Sequence, residues 1–175
     1  MLDHPDMGSI ALSTSPARAL VPALLALAVI LPAPLHGAAR EPDRALQKQL
    51  DKAKLKFQVD DDGDFKLTID LGNGRTQLVY VRSVTHDFGS LKVREVLSIG
   101  AASAEAELTA DLSKRLMREN ADTKLGAWSA QGRYAIYVCK IAADAPARAL
   151  ADAIELTATV ADRLERDLAA DKDEF

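Results

Sequence analysis

Asp60-Asp61-Asp62-Gly63-Asp64 sets four carboxylates around a glycine, the densest group of possible metal ligands in the chain. Acids spaced around a glycine turn suit a hard cation such as calcium. With Gly63 at the sixth loop position, Gln58 falls at the first and Ile69 at the twelfth. Those positions require an Asp and a bidentate Glu. Both fail, so the segment reads as a hairpin turn whose solvated acids blunt a sheet edge. His86 is the one histidine between residue 40 and the C-terminus, and Asp87 lies beside it. A Ser-His-Asp triad needs a nucleophile on a constrained turn and a base oriented by a third group. No G-x-S-x-G occurs, and sequence neighbours such as His86 and Asp87 do not orient one another. A hydrolase would have to assemble its site from scattered residues such as Asp60, Asp62, Asp64 and His86.

The remaining reactive or charged residues also have a structural reading beside the functional one. Cys139 is the only cysteine, on the same strand parity as Tyr137 and Ile141. A free Cys packs as a small hydrophobe, and burial is expected here over an interchain disulfide. A single Cys also excludes a disulfide framework and a thiolate-caged metal. Arg75, Arg82, Lys92 and Arg94 fall on adjacent strands, and Lys114, Arg115 and Arg118 on a helix. Solvated faces are the default reading for them; a basic face for an anionic lipid or a peptide carboxylate is the functional one. Arg82, Lys92, Arg94 and Trp128 are taken as the possible interaction surface. The aromatic interleaving of single-strand nucleic-acid binders is absent. So is any Walker sequence, glycine-rich phosphate loop or dinucleotide fingerprint, and no cofactor is expected.

The chain has 175 residues, 48% apolar and 27% charged, with formal net charge −4. It is too apolar for a disordered polymer and too weakly charged for a nucleic-acid scaffold. Five of the seven prolines lie in the first 39 residues, with the longest apolar run, Ala19 to Leu35. Its dense part, Leu20 to Leu31, is 12 residues long. That is a secretory h-region rather than a membrane span of about 20. Arg18 precedes it, Pro32 and Pro34 break it, and Gly37-Ala38-Ala39 supply the small residues of a cleavage site. Cleavage is expected between Ala39 and Arg40, which makes 1–39 a signal peptide and 40–175 one periplasmic or secreted domain. An uncleaved leader anchoring the protein to the membrane is the alternative. Asp3 and Asp6 suit an n-region poorly, and a start at Met7 leaves a positive one.

Within that domain, hydropathy periodicity predicts a helix over 42–55, with Leu46, Leu50 and Ala53 on one face. Short strands follow at 56–60, 65–71, 75–85 and 91–99, joined by turns at Asp61-Gly63, Gly72-Gly74 and Asp87-Gly89. The apolar centre Leu78-Val79-Tyr80-Val81 predicts a strand covered on both faces. A second helix is expected over 101–120, with Ser103 near its start and Asn120 as a left-handed terminator. A hairpin through Gln131-Gly132 comes next. The last helix begins at Pro146, with Leu150, Ile154, Thr157, Ala161, Leu164 and Leu168 on its inner stripe. The order α-β-β-β-β-α-β-β-α with segregated helices is an antiparallel α+β domain.

Residues 44–170 resemble the YbjN-like family, whose fold looks like that of type III secretion chaperones. The resemblance is carried by the first helix, FQVDDDGDFKLTID and the strands after it. It continues through the helix ending in Arg118-Glu119-Asn120, the AWSAQGRYAIYV hairpin and the terminal helix. It implies a non-enzymatic domain, classed with bacterial sensory-transduction regulators, that binds a protein or peptide and possesses no shared catalytic residues. A homodimer is a further possibility. The export signal departs from typical members, which are cytoplasmic. The expected function is an exported interaction module; the alternative is a small-ligand or lipid-binding envelope protein with a pocket between the sheet and the terminal helix.

Overall fold

Asp43 opens the first helix, α1 (Arg44–Lys52), with an extended backbone and a carboxylate that accepts the N–H groups of Ala45 and Leu46. Those are two of the donors that a helix start leaves without partners. Pro42 therefore precedes the cap, and Lys54 leaves the helix at φ 57°. The expected span of 42–55 is trimmed at both ends. The computed structural model describes residues 40–169. The leader, and the scissile bond after Ala39, lie outside the described residues.

The remaining elements are β1 (Gln58–Val59), β2 (Phe65–Gly72), β3 (Arg75–Phe88), β4 (Leu91–Ala102), α2 (Ala110–Asp122), β5 (Ala127–Gln131), β6 (Tyr134–Ala142) and α3 (Ala147–Ala169). They form one sheet in the order β1-β2-β3-β4-β6-β5, with every neighbouring pair antiparallel. The class is α+β with the element order read from the sequence. Tight turns hold the register. Asn73 and Gly74 both take positive φ between Gly72 and Arg75, the two-residue turn that matches strand twist.

Three expectations are corrected. The second helix starts at Ala110 with Thr109 as its cap, not at Ala101 with Ser103. Alanine-rich residues 101–106 read as helical by propensity. Pairing of Ala101 with Ala135 and of Ala102 with Tyr134 instead continues β4, and the Ser103 N–H bonds to the Arg133 carbonyl. Here tertiary pairing overrides a weak local preference. Next, β3 lies inside the sheet, but only one of its faces is sealed. Gln77, Val79 and Val81 are fully buried, whereas Leu78 and Tyr80 are half-exposed. Last, Leu168 is 49% exposed and falls beyond the sheet; the other five stripe residues are buried.

The sealed face is covered by α3, which packs on β2, β3, β4 and β6, with α1 resting on α3 and α2 on β5. Leu46, Leu50, Phe65, Leu67, Val96, Tyr137, Cys139, Leu150, Ile154 and Leu164 form the common core. Close approach of α3 depends on Gly100, the extra residue of a bulge in β4 between Ile99 and Ala101. A Cβ there would lie 2.6 Å from the Trp128 ring and 3.0 Å from the Ala161 carbonyl oxygen. Trp128 is held by a 3.0 Å hydrogen bond from its indole Nε1 to Glu119, and the Ala161 oxygen is helix backbone, so neither yields easily. Gly100→Ala is expected to cost about 1–3 kcal/mol through overpacking, read by urea denaturation monitored at Trp128. An unchanged midpoint would show that α3 does not depend on this contact.

Candidate functional site

Arg94 sits on β4, where β3 bulges: Val81 pairs with Val96 and Thr85 with Arg94, so residues 82–84 oppose only Glu95. A bulge loses ladder bonds, and the Arg94 guanidinium replaces them by donating to the carbonyls of Arg82 and Ser83 at 2.5 and 3.1 Å. Its other terminal nitrogen meets Asp43 at 2.5 Å. Ser83 receives the Asp43 N–H and gives its own N–H to Asp64 and its hydroxyl to the Gly63 carbonyl. Asp64 also pairs with Arg82 at 2.9 Å. One polar web thus joins the start of α1, the β1–β2 turn and the β3–β4 ribbon. Burial pushes the Asp43 carboxyl up, but the Arg94 hydrogen bond and charge and the Ala45 and Leu46 amides outweigh it, leaving it below its ordinary value.

The four surface candidates separate. Arg94 is 2% exposed and Trp128 7%, so both belong to the interior and not to an interaction surface. Arg82 and Lys92 keep exposed side chains, Arg82 against Asp64 and Lys92 near Asp87. Arg75 is likewise no part of a solvated basic face: it reaches Asp162 at 2.5 Å and Glu165 at 3.0 Å on α3, both acids buried. Arg115 pairs with Glu119 and Asp167. Strand parity puts Arg75 with Gln77 and Val79, and Arg94 with Val96 and Ser98, on the inner face, but a charged side chain reads as solvated until its buried partners are known.

The acidic turn is also more than a solvated edge. Asp60 accepts the N–H groups of Asp62 and Asp64, and Asp64 is 3% exposed. The Asp60 and Asp64 carboxylates are spent on backbone and arginine, while Asp61 and Asp62 are exposed. Among the described residues no group of three His, Cys, Asp or Glu is arranged to hold a metal. His86 stands opposite Val93 on the exposed ribbon, and no hydrogen bond joins it to the aspartates. Cys139 is fully buried, and burial pushes its thiol up to about 11 despite a hydrogen bond with Thr157.

Asn120 is not a helix terminator but a plug on the sheet edge. It lies within α2, and its carboxamide accepts the Trp128 N–H at 2.6 Å and donates to the Trp128 carbonyl at 3.1 Å. This two-point contact mimics a neighbouring strand at Trp128, the second residue of β5. The other edge, β1, is two residues long. Because β1 pairs only with Phe65 and Lys66, the outer edge of β2 from Leu67 to Gly72 has no neighbouring strand among the described residues.

What stays open is the outer face of the sheet. Register places Leu78 and Tyr80 beside Ile99 and Leu97, and these beside Ile136 and Val138, with Ser129 and Ala127 at the far side. Among the described residues no helix lies on this face. Only Ile136, at its centre, is closed over by its neighbours. Arg82, Glu95 and Lys140 run along one rim, and Lys66 lies beside Tyr80 on β2. Toward β5 the face dips into a hollow of about 380 Å³ lined by Leu97, Val138 and Ala127, with Glu95, Gln131 and Lys140 also on its wall. A separate cleft of about 840 Å³ lies between the start of α1, the β3–β4 ribbon and Ala143-Asp144. The ribbon tip beside it exposes Phe88 and Leu91.

Asp43→Asn keeps a capping oxygen while removing the charge opposite Arg94. It is expected to cost about 3 kcal/mol, with Arg94→Met in the same chain restoring part of the loss; full additivity in denaturant midpoints would show that the pair is not coupled. Because the folded-state value of Asp43 is depressed, its contribution is present above about pH 4 and is lost as pH falls through the lowered value. Cys139 titrates the opposite way. The unfolded thiol ionises near pH 9 and the folded one only near 11, so stability falls across that window. Cys139→Ala should flatten that part of the pH profile, and native protein should resist thiol reagents at pH 8; rapid native labelling would refute the burial. Neither a protein-family model nor a curated protein matches the sequence.

Proposed function

We propose that this protein is an exported, non-enzymatic interaction module of the cell envelope that binds a protein or peptide on the outer face of its sheet. The observation that carries this reading is the belt of Leu78, Tyr80, Leu97, Ile99, Ile136 and Val138, which no described helix covers. Contiguous apolar surface rimmed by charge marks interaction sites on water-soluble domains. The secretory character of residues 1–39 supports a periplasmic or secreted location. The resemblance to the YbjN-like family supports a regulatory role without chemistry. A small-ligand or lipid reading rests on a different feature, the cleft beside α1, whose size suits a small molecule.

Leu97 lies in the belt between Tyr80 and Val138 and its side chain is half-exposed, so Leu97→Glu should change the surface while sparing the core. Affinity capture from the envelope fraction is expected to lose its specific partner on this substitution, with circular dichroism and melting temperature close to those of the parent. Retention of the same partner by a folded Leu97→Glu protein would remove the face from consideration.

A further inference from the structure

We infer that the outer face docks an amphipathic helix of a partner protein, laid across β3, β4, β6 and β5 with an acidic flank along the Arg82–Lys140 rim. This rests on the reading that the face binds protein, and names the kind of segment it takes. Three features of the face select a helix.

The first is the route of entry. An extended peptide gains most of its affinity by adding to a sheet edge. Here Asn120 caps Trp128 on the β5 edge, and the edge that β2 leaves open beyond β1 lies outside the apolar belt, on the strand that carries Lys66, Thr68 and Asp70. A segment that binds the face must therefore satisfy its own backbone, which a helix does.

The second is size. Four strands spaced about 4.8 Å apart span roughly 14 Å between outer axes, and the two outward residues on each strand, both apolar on β3, β4 and β6, lie about 7 Å apart. That belt matches the apolar stripe of a helix about 10 Å wide and about ten to twelve residues long. The same footprint is a few hundred Å², the scale of a functional patch on a monomer. It falls short of the roughly 800 Å² per partner of a stable protein–protein interface, so a second copy of this chain is the poorer occupant. Beside the β5 edge, the 380 Å³ hollow offers one large side chain an apolar floor of Leu97, Ala127 and Val138 and a polar wall of Glu95, Gln131 and Lys140.

The third is charge. Lys66, Arg82 and Lys140 border the belt against Glu95, which lies 3.4 Å from Lys140. Asp64 balances Arg82 from within the web and is buried. The rim is net positive, which favours Glu or Asp on the flank of the incoming helix and disfavours Lys.

The test uses three synthetic 14-residue peptides and the purified protein in titration calorimetry. One peptide has a Leu/Phe stripe at helical spacing with Glu flanks, the second has Lys flanks, and the third is the Glu peptide with a central proline. The Glu peptide is expected to bind at least tenfold more tightly than the Lys peptide at low salt, with the gap narrowing at high salt, and the proline peptide should fail. Ala127→Arg, which fills the hollow from an exposed position without touching the core, should abolish binding, as should Leu97→Glu. Equal binding of the proline or Lys peptide overturns the inference. So does a concentration-dependent dimer, lost in Ala127→Arg, without peptide binding. If no peptide binds but Leu97→Glu still loses its envelope partner, the helix is wrong and the binding face stands; if the partner is retained, the face itself is wrong.

Discussion

Gly100 has no Cβ, and that absence sets the distance between the sheet and the one long helix that covers it. The bulge in β4 turns Gly100 and Ala101 successively toward α3, so the Trp128 ring and the Ala161 backbone close over a position with no side chain. With α3 seated this low, one 23-residue helix reaches four strands. Leu150, Ile154, Ala158, Ala161 and Leu164 then supply the apolar layer that seals β2, β3, β4 and β6. Small residues along α3 are therefore a packing requirement. At Thr157 and Ala161 the helix packs directly on the sheet, and the Thr157 hydroxyl bonds to the Ala153 carbonyl; elsewhere Leu156, Val160 and Arg163 of α3 line a hollow of about 460 Å³ with Tyr137 of β6 and the end of α2.

A seated helix brings polar groups into the interior, and each set is answered locally. Asp162 and Glu165 of α3 receive Arg75 from the start of β3. Gln77 donates to Ser98 and to the Ile99 carbonyl, and Ser98 donates to the Leu78 carbonyl. At the other end of the sheet Arg94 answers the bulge carbonyls and Asp43 together. Such pairs add little net energy, because desolvation offsets most of the attraction, but removing one partner leaves a buried charge and is costly. Their positions tie α1 and α3 to particular strands. The Arg94 Nε and the Gln77 Oε1 are the two buried side-chain atoms without a partner among the described residues, each in a side chain otherwise bonded.

The α+β class, the element order and the hairpin turns were legible because they rest on period-two alternation, Asn-Gly turn chemistry and a strong helical stripe near the C-terminus. Features that depend on a bulge were not. Gly100 looks like a strand end, and the alanines after it look like a helix start, until pairing with β6 is known. Arg82 and Arg94 are the same residue type on neighbouring strands, yet Arg82 follows inward Val81 and is half-exposed, whereas Arg94 shares the inward parity of Val96 and Ser98 and is buried, which its charge argues against. The outer belt was half visible: Leu78-Val79-Tyr80-Val81 does show apolar residues on both sides of a strand. Sequence alone reads this as two covering layers, because it registers the apolar character of a face but not whether another element of the chain covers it.

That distinction bears on function. A sheet whose second face is meant for water ordinarily alternates apolar with polar residues. β3, β4 and β6 depart from this over two consecutive outward positions each, while β2 beside them obeys it with Lys66, Thr68 and Asp70. The departure is thus confined to the strands that share one belt, and it stops at β2. Stability does not require it, because the inner core is already closed by α3. The β5 edge is capped at Trp128 by the Asn120 amide, and the edge that β2 leaves open beyond β1 borders Lys66, Thr68 and Asp70, so the apolar area lies on the face and away from the free strand edge. Local sequence rules tend to break where a function needs them broken. Here the break is a patch with a cationic rim, a hollow at one end and no backbone on offer, which selects for a partner that brings its own hydrogen bonds and presents side chains alone.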